Sequence, residues 1–337
     1  MRTSLAAAVV AAICFTLALP QLAGASTYVS FDVPGSSGTP IPCGINRWGS
    51  VTGYYATSAG GYNGFLYAAS SGKVTTFSVP GVSRTYALSI SSPGWVVGYY
   101  NDKAGAHHGF LRNPQYTTLD VPGAGTMSGQ GTQALSINDA GEISGVFWDS
   151  NAVEHGFLRD ASGNYTTFDV TGGTAVVSAS LNQSGEIAGT YYAPPGLTGH
   201  GYVRDAAGTI TTFDVPGALD TYVIGINASG QTTGYYNVTG SPVGQFFRDA
   251  AGDVTTFTVS GYLWTAGIAD NGDVYGLFKA SGTDKGWKRS AAGAVTYFKD
   301  PNAGSLGTFP TCVTGNGKVA GYYSDSQGVP HAFEKMN

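Results

Sequence analysis

Charge is scarce in this 337-residue chain. Lys, Arg, Asp and Glu together make up 11% of it, against roughly a quarter in ordinary soluble domains. The formal balance is −5 and no run of Lys or Arg stands out, which argues against a nucleic-acid partner. Glutamate occurs only at Glu142, Glu154, Glu186 and Glu334, so the two converging carboxylates of a glycosidase are hard to assemble. No phosphate loop and no Gly-x-Ser-x-Gly elbow with partners is present, which removes the simplest nucleotide-binding and serine-hydrolase readings. Beyond residue 25 no apolar run reaches spanning length, so no membrane span is expected. Cysteine is limited to Cys14, Cys43 and Cys312.

Glycine and aromatics fill the gap: 51 Gly, 21 Tyr and 16 Phe. A disordered chain shares the glycine but lacks the rings; many short strands joined by glycine turns fit both. Residues 1–25 read as a secretory signal, with Arg2, an apolar stretch from Leu5 to Leu19, the breaker Pro20 and the small-x-small box Ala23-Gly24-Ala25. The expectation is a protein in the periplasm or the medium, with residues 26–337 as one domain. Cys43 and Cys312 then form an even pair in an oxidising compartment and are expected to make a disulfide.

Internal repetition dominates the remainder. A strand ending in a ring recurs as Phe31, Phe77, Leu119, Phe168, Phe213, Phe257 and Phe298, at spacings of 41 to 49 residues. That is the period of a four-stranded propeller blade. Each unit carries four short strand signals. The first ends near an Asn column (Asn46, Asn138, Asn182, Asn227) and is followed three residues later by Gly49, Gly94, Gly141, Gly185, Gly230, Gly272 or Gly317. The second carries a glycine (Gly53, Gly98, Gly145, Gly189, Gly234, Gly276, Gly321) with a ring two residues on; that glycine is expected to admit the neighbouring blade. The third holds Phe65, Phe110, Phe157, Tyr202, Phe246, Trp287 or Phe333, and these rings should be core.

The ends of the chain bear on closure. After the signal the chain starts with a fourth strand, Tyr28–Val33, and it stops after a third strand around His331–Glu334. An all-β, seven-bladed propeller follows, its last blade completed by the N-terminal strand. Cys43 and Cys312 sit on first strands of blades adjacent across that closure, one residue apart in register, so their side chains should converge. The Ile-Asn-x-x-Gly, Gly-x-Tyr and His-Gly-Phe elements resemble the bacterial extracellular HAF repeat family over residues 28–335. Asn63, Gly244 and Lys285 depart from it at the His column, and Thr314 at the Asn column. The resemblance implies export and a repeat fold, and it transfers no catalytic residue.

Residues with chemistry mostly follow the repeat. His108, His155, His200 and His331 occupy one column on separate blades, too far apart to share a metal; His107 is an extra, read as solvated. Asp32, Asp120, Asp169 and Asp214, and the Arg–Asp pairs at Arg159, Arg204 and Arg248, read as scaffolding. Asp270-Asn271-Gly272-Asp273 is too short for a calcium loop, and no metal or cofactor is expected. The loops after the fourth strand and between the second and third vary most and share one face, where specificity is placed without disturbing a core. Arg84, Tyr86, Trp148, Asp220, Tyr222 and Trp264 break the repeat there. They suit stacking on sugar rings, while Tyr86 and Tyr222 equally suit packing of the funnel wall. The expected function is a monomeric, secreted, non-catalytic binding or scaffold module, its partner carbohydrate or another extracellular molecule. An extracellular polysaccharide lyase or hydrolase, and a structural envelope or matrix component, remain the alternatives.

Overall fold

The computed structural model of the chain describes residues 26–194, 196–238, 244–259, 262–279 and 282–336, and of residues 262–264 the backbone alone. The expected signal at 1–25 lies outside this description. Every regular element among the described residues is a β-strand, and no helix is long and apolar enough to cross a membrane.

Unit three shows the local plan. Gly131–Ile137, Ile143–Trp148, Glu154–Arg159 and Tyr165–Phe168 pair in succession, all antiparallel. The turn after the first strand is set by Gly141, whose φ of 87° belongs to the left-handed region that favours glycine. Units one, two, five and six repeat the plan. Unit four departs from it, since its first strand is split into Ala175–Val176 and Ser180–Leu181. Unit seven supplies Gly307–Val313, Val319–Ser324 and Pro330–Lys335, and its outer partner is the N-terminal strand Tyr28–Phe31. The pairing runs from Tyr28 opposite Lys335 to Phe31 opposite Ala332, as the strand patterns of these two segments imply.

The units are not seven separate sheets. Parallel bridges Tyr62↔Arg84, His107↔Gly131 and Glu154↔Ala175 join units one to four into one 17-stranded network, while units five, six and seven form four-stranded sheets. Each bridge links the start of a third strand to the start of the next unit's first strand, so all three lie on one face.

Packing runs between units. The third-strand rings Phe65, Phe110, Phe157, Tyr202, Phe246, Trp287 and Phe333 are at most 1% exposed. Seven apolar clusters draw on successive pairs of units. One of them joins Ala320 and Ala332 of the last unit to Phe31, Val51 and Phe65. Arg112, Arg204, Arg248 and Arg289 lie over Phe77, Phe168, Phe213 and Phe257 of the preceding unit. The expected Arg–Asp pairs take a different form: Arg159, Arg204 and Arg248 donate to the backbone carbonyls of Asp160, Asp205 and Asp249, whose carboxylates cap their own turns. Sequence adjacency makes the carbonyl the nearer acceptor.

The second-strand glycines also differ from expectation. A side chain at Gly98 would strike the Tyr86 carbonyl, and one at Gly145 the Gln133 carbonyl and the Phe157 ring, all within the same unit. The cause is a β-bulge in the first strand. Register slips between Pro42 and Gly44, Ala87 and Ser89, Ala134 and Ser136, Val223 and Gly225, Thr265 and Gly267, and Pro310 and Cys312. A bulge bends its strand and re-aims the extra residue.

The turn face is sewn by side-chain amides. Asn46 donates to the Ser91 carbonyl at 3.1 Å, Asn138 to Asn182 at 3.3 Å, Asn182 to Asn227 at 2.9 Å and Asn227 to Ala269 at 2.9 Å. Where the column lacks Asn, other groups bridge. The Ser92 N–H reaches Asp139, the Asp270 N–H reaches the Gly315 carbonyl, and Asn316 of the last unit donates to the Arg47 carbonyl of the first at 3.2 Å.

Candidate functional site

Two regions carry unrepeated chemistry: a central cavity and the loop face. The cavity measures about 620 Å³ and is lined by first strands from every unit. The bulges explain its wall. Cys43, Leu88, Leu135, Ile224, Ala266 and Thr311 are the out-of-register residues of their strands, and all six face the cavity. Sequence reasoning missed this collar, because a bulge leaves no signature when the strand pattern is otherwise regular.

The bulge also alters the account of the cysteines. Cys43 is the bulged residue of its strand, so simple alternation does not set its direction. Both cysteines line the cavity, but as free thiols and not as the expected disulfide. Burial raises the Cys43 pKa, with a further push from Cys312, and burial holds Cys312 up at about 12. The thiols therefore lie near one another and stay protonated at neutral pH.

On the loop face the six candidate residues fall into two rows. Tyr86, Tyr222 and Trp264 occupy the same first-strand position, paired across to Tyr99, Tyr235 and Leu277. Tyr86 stacks on Tyr99 at 4.8 Å and meets Tyr54 edge-on at 5.2 Å, and Tyr222 stacks on Tyr235 at 4.8 Å. The side chain of Trp264 lies outside the described residues. Burial among these rings pushes the phenols of Tyr54 and Tyr99 up to about 12 and raises that of Tyr86.

Arg84, Trp148 and Asp220 lie in the second row, at the rim. Arg84 is exposed and pairs with both Tyr62 and Asn101. Asp220 accepts the Gly199 N–H at 2.9 Å and lies 3.4 Å from the Asn237 amide, so its carboxylate knits units four and five. Trp148 is half-buried, 5.8 Å from His107.

The parallel bridges make the rim continuous. Its order runs Asn101, His107, Gly131, Trp148, Glu154, Ala175, Tyr192 and Gly199, each paired with the next. Cross-strand partners share a face, so the rings of His107, Trp148 and Tyr192 stand in one row, separated by Gly131 and by Glu154 with Ala175. Tyr222 covers Gly199 and lies close to Tyr192. The sequence reading did not include His107, Glu154 and Tyr192 in a site. His107 is half-buried, bonded to Asn101 at 3.1 Å and touching Tyr99. Burial lowers its pKa, aided by His108, which keeps the ring neutral. The available signal was the residue opening each third strand, which changes from Tyr62 to His107 to Glu154 while its neighbours repeat.

The other histidines serve the scaffold, as their column implies. Nδ1 of His108, His155, His200 and His331 lies 2.6 to 2.9 Å from Asp120, Asp169, Asp214 and Asp32. Each ring packs on the second-strand aromatic of its unit. Asp273 in the short acidic turn holds Lys288. Among the described residues no group of three His, Cys, Asp or Glu is arranged for a metal.

No family signature and no curated protein matches this chain. Solved structures share its fold. Streptogramin B lyase aligns at 12% identity over 92% of this chain and 98% of its own, with a TM-score of 0.58. The β-propeller domain of the Trilobed protease from Pyrococcus furiosus, of open velcro topology, aligns at 9% over 89% and 94%, with a TM-score of 0.63. An oligogalacturonate lyase in complex with manganese aligns at 11% over 92% and 96%, with a TM-score of 0.61. The chain is thus an all-β protein on a propeller-type scaffold. Such a scaffold hosts unrelated functions, so the likeness carries the fold alone.

Proposed function

We propose that this chain is an exported, non-catalytic binding module, a closed seven-bladed propeller whose loop face holds an extended carbohydrate. The observation that carries the reading is the rim row, in which the rings of His107, Trp148 and Tyr192 are separated by Gly131 and by Glu154 with Ala175, and Gly199 follows. Flat half-exposed rings set along one row offer stacking surface at low entropic cost, and the phenols, the imidazole and Asn101 add hydrogen-bonding groups. Closure is supported by the strand Tyr28–Phe31 on the last unit and by the Asn316–Arg47 and Lys318–Trp48 hydrogen bonds, which link the last unit to the first. The signal-like residues 1–25 and the HAF-type repeat support export. In that oxidising setting the neighbouring Cys43 and Cys312 thiols pair.

The test is incubation with a panel of neutral, acidic and amine-bearing polysaccharides, measuring retention and chain cleavage together. Retention without new reducing ends or unsaturated products is the expected result. Cleavage products would establish the lyase or hydrolase alternative. No retention on any glycan would overturn the carbohydrate reading.

A further inference from the structure

Glu154 is a half-buried acid of the rim with no partner among the described residues. Glu154 opens the third strand of unit three, directly across from Trp148 on one side and bridged to Ala175 on the other. It is half-buried, and among the described residues no Lys, Arg or His pairs with it and no donor bonds it. The nearby acids are occupied elsewhere: Asp149 caps its own loop through the Asn151 and Val153 N–H groups, and Asp169 holds His155. Burial alone pushes the Glu154 carboxyl up to about 7. A carboxylate left in this state destabilises its own fold, because desolvation disfavours the charge and nothing offsets it.

The neighbours define what would offset it. Trp148 supplies an indole on one flank. On the other, the small side chain of Ala175 is all that the row places between Glu154 and Tyr192, roughly 10 Å away at two strand spacings. The Tyr222 phenol lies close to Tyr192. A carboxylate set between an indole and a phenol ring is the arrangement that recognises an ammonium group: the acid supplies the counter-charge and the ring faces attract the cation. A neutral sugar gains only the stacking.

We propose that Trp148, Glu154 and Tyr192 form a subsite for a protonated amine, selecting carbohydrate that carries free amino groups. This rests on the carbohydrate reading of the loop face given above. Its test compares affinity for glucosamine oligomers and for N-acetylglucosamine oligomers of equal length, using the full chain and its Glu154→Gln variant. The wild-type protein should prefer the free amine by about tenfold, the scale of one partly desolvated cation–aromatic contact with its counter-ion. Glu154→Gln, which keeps the side-chain shape, should erase that preference, so that the variant binds the two oligomers equally. Equal binding of both oligomers by the wild-type protein, an unchanged preference in the variant, or retention only on other glycans would overturn the subsite and leave the carbohydrate reading standing. Retention on no glycan would overturn both.

Discussion

Glu154 ties the stability of the fold to the titration of a single buried carboxyl. Its carboxyl titrates near 7 in the fold against an ordinary value of 4.5. Between those values the folded chain keeps a proton that the unfolded chain has released, so stability falls as pH rises through this window and levels off above it. Glu154→Gln should therefore raise the melting temperature at pH 8 and leave it unchanged near pH 4.5; equal melting at both values would contradict the burial argument. Asp102, Asp149 and Asp325 respond in the opposite sense, their pKa values held down by backbone N–H groups and neighbouring imidazoles. They act at lower pH and are common to both proteins. At the same scale, Asn182 accepts two N–H groups of its own turn and donates to Glu186 and to the next unit. Asn182→Ala removes all four bonds in a buried setting and should cost about 1 to 3 kcal/mol, read from chemical denaturation. The thiols add a further expectation. Intact mass after alkylation without reductant should show no label on exported protein, and two labels would end the pairing proposal.

The strand Tyr28–Phe31 is the element on which the proposed closure depends. It pairs with Pro330–Lys335, buries Phe31, and is followed by Asp32, which lies 2.6 Å from His331. Deleting residues 26–34 should lower the melting temperature and expose the last unit's edge to aggregation; an unchanged melting temperature would show that the ring does not need the strand. The pairing itself was legible in the sequence, because Tyr28–Phe31 carries the fourth-strand pattern that the unit containing Pro330–Lys335 lacks. The aromatic columns were legible for a similar reason, since rings repeated at a fixed period fit only a repeated interior. The bulges were not. One extra residue in Leu88 or Ile224 preserves the apolar character of the strand and changes only where the side chain points. The rim row was hidden too, because the bridges joining His107 to Gly131 and Glu154 to Ala175 link residues of different units. Trp148 could be singled out from the repeat, but its partners could not.

The whole molecule presents two unlike faces. The turn face is sewn by the Asn column and repeats from unit to unit. The loop face carries the unrepeated rings together with exposed Met127, Leu197, Leu219 and Leu306. Leu197 even holds a left-handed backbone at φ 56°, a conformation rare for a leucine. Binding that belongs to the loop face should therefore ignore changes on the turn face. The most direct measurement is calorimetric affinity for the best-retained oligosaccharide in three proteins: the wild type, a Tyr86→Ala/Trp148→Ala double variant, and Trp48→Ala, which removes a 60% exposed ring from the turn face. The account predicts a loss of roughly 10- to 100-fold in the double variant, with the fold intact by circular dichroism, and wild-type affinity in Trp48→Ala. Full affinity in the double variant, or a comparable loss in Trp48→Ala, would contradict it.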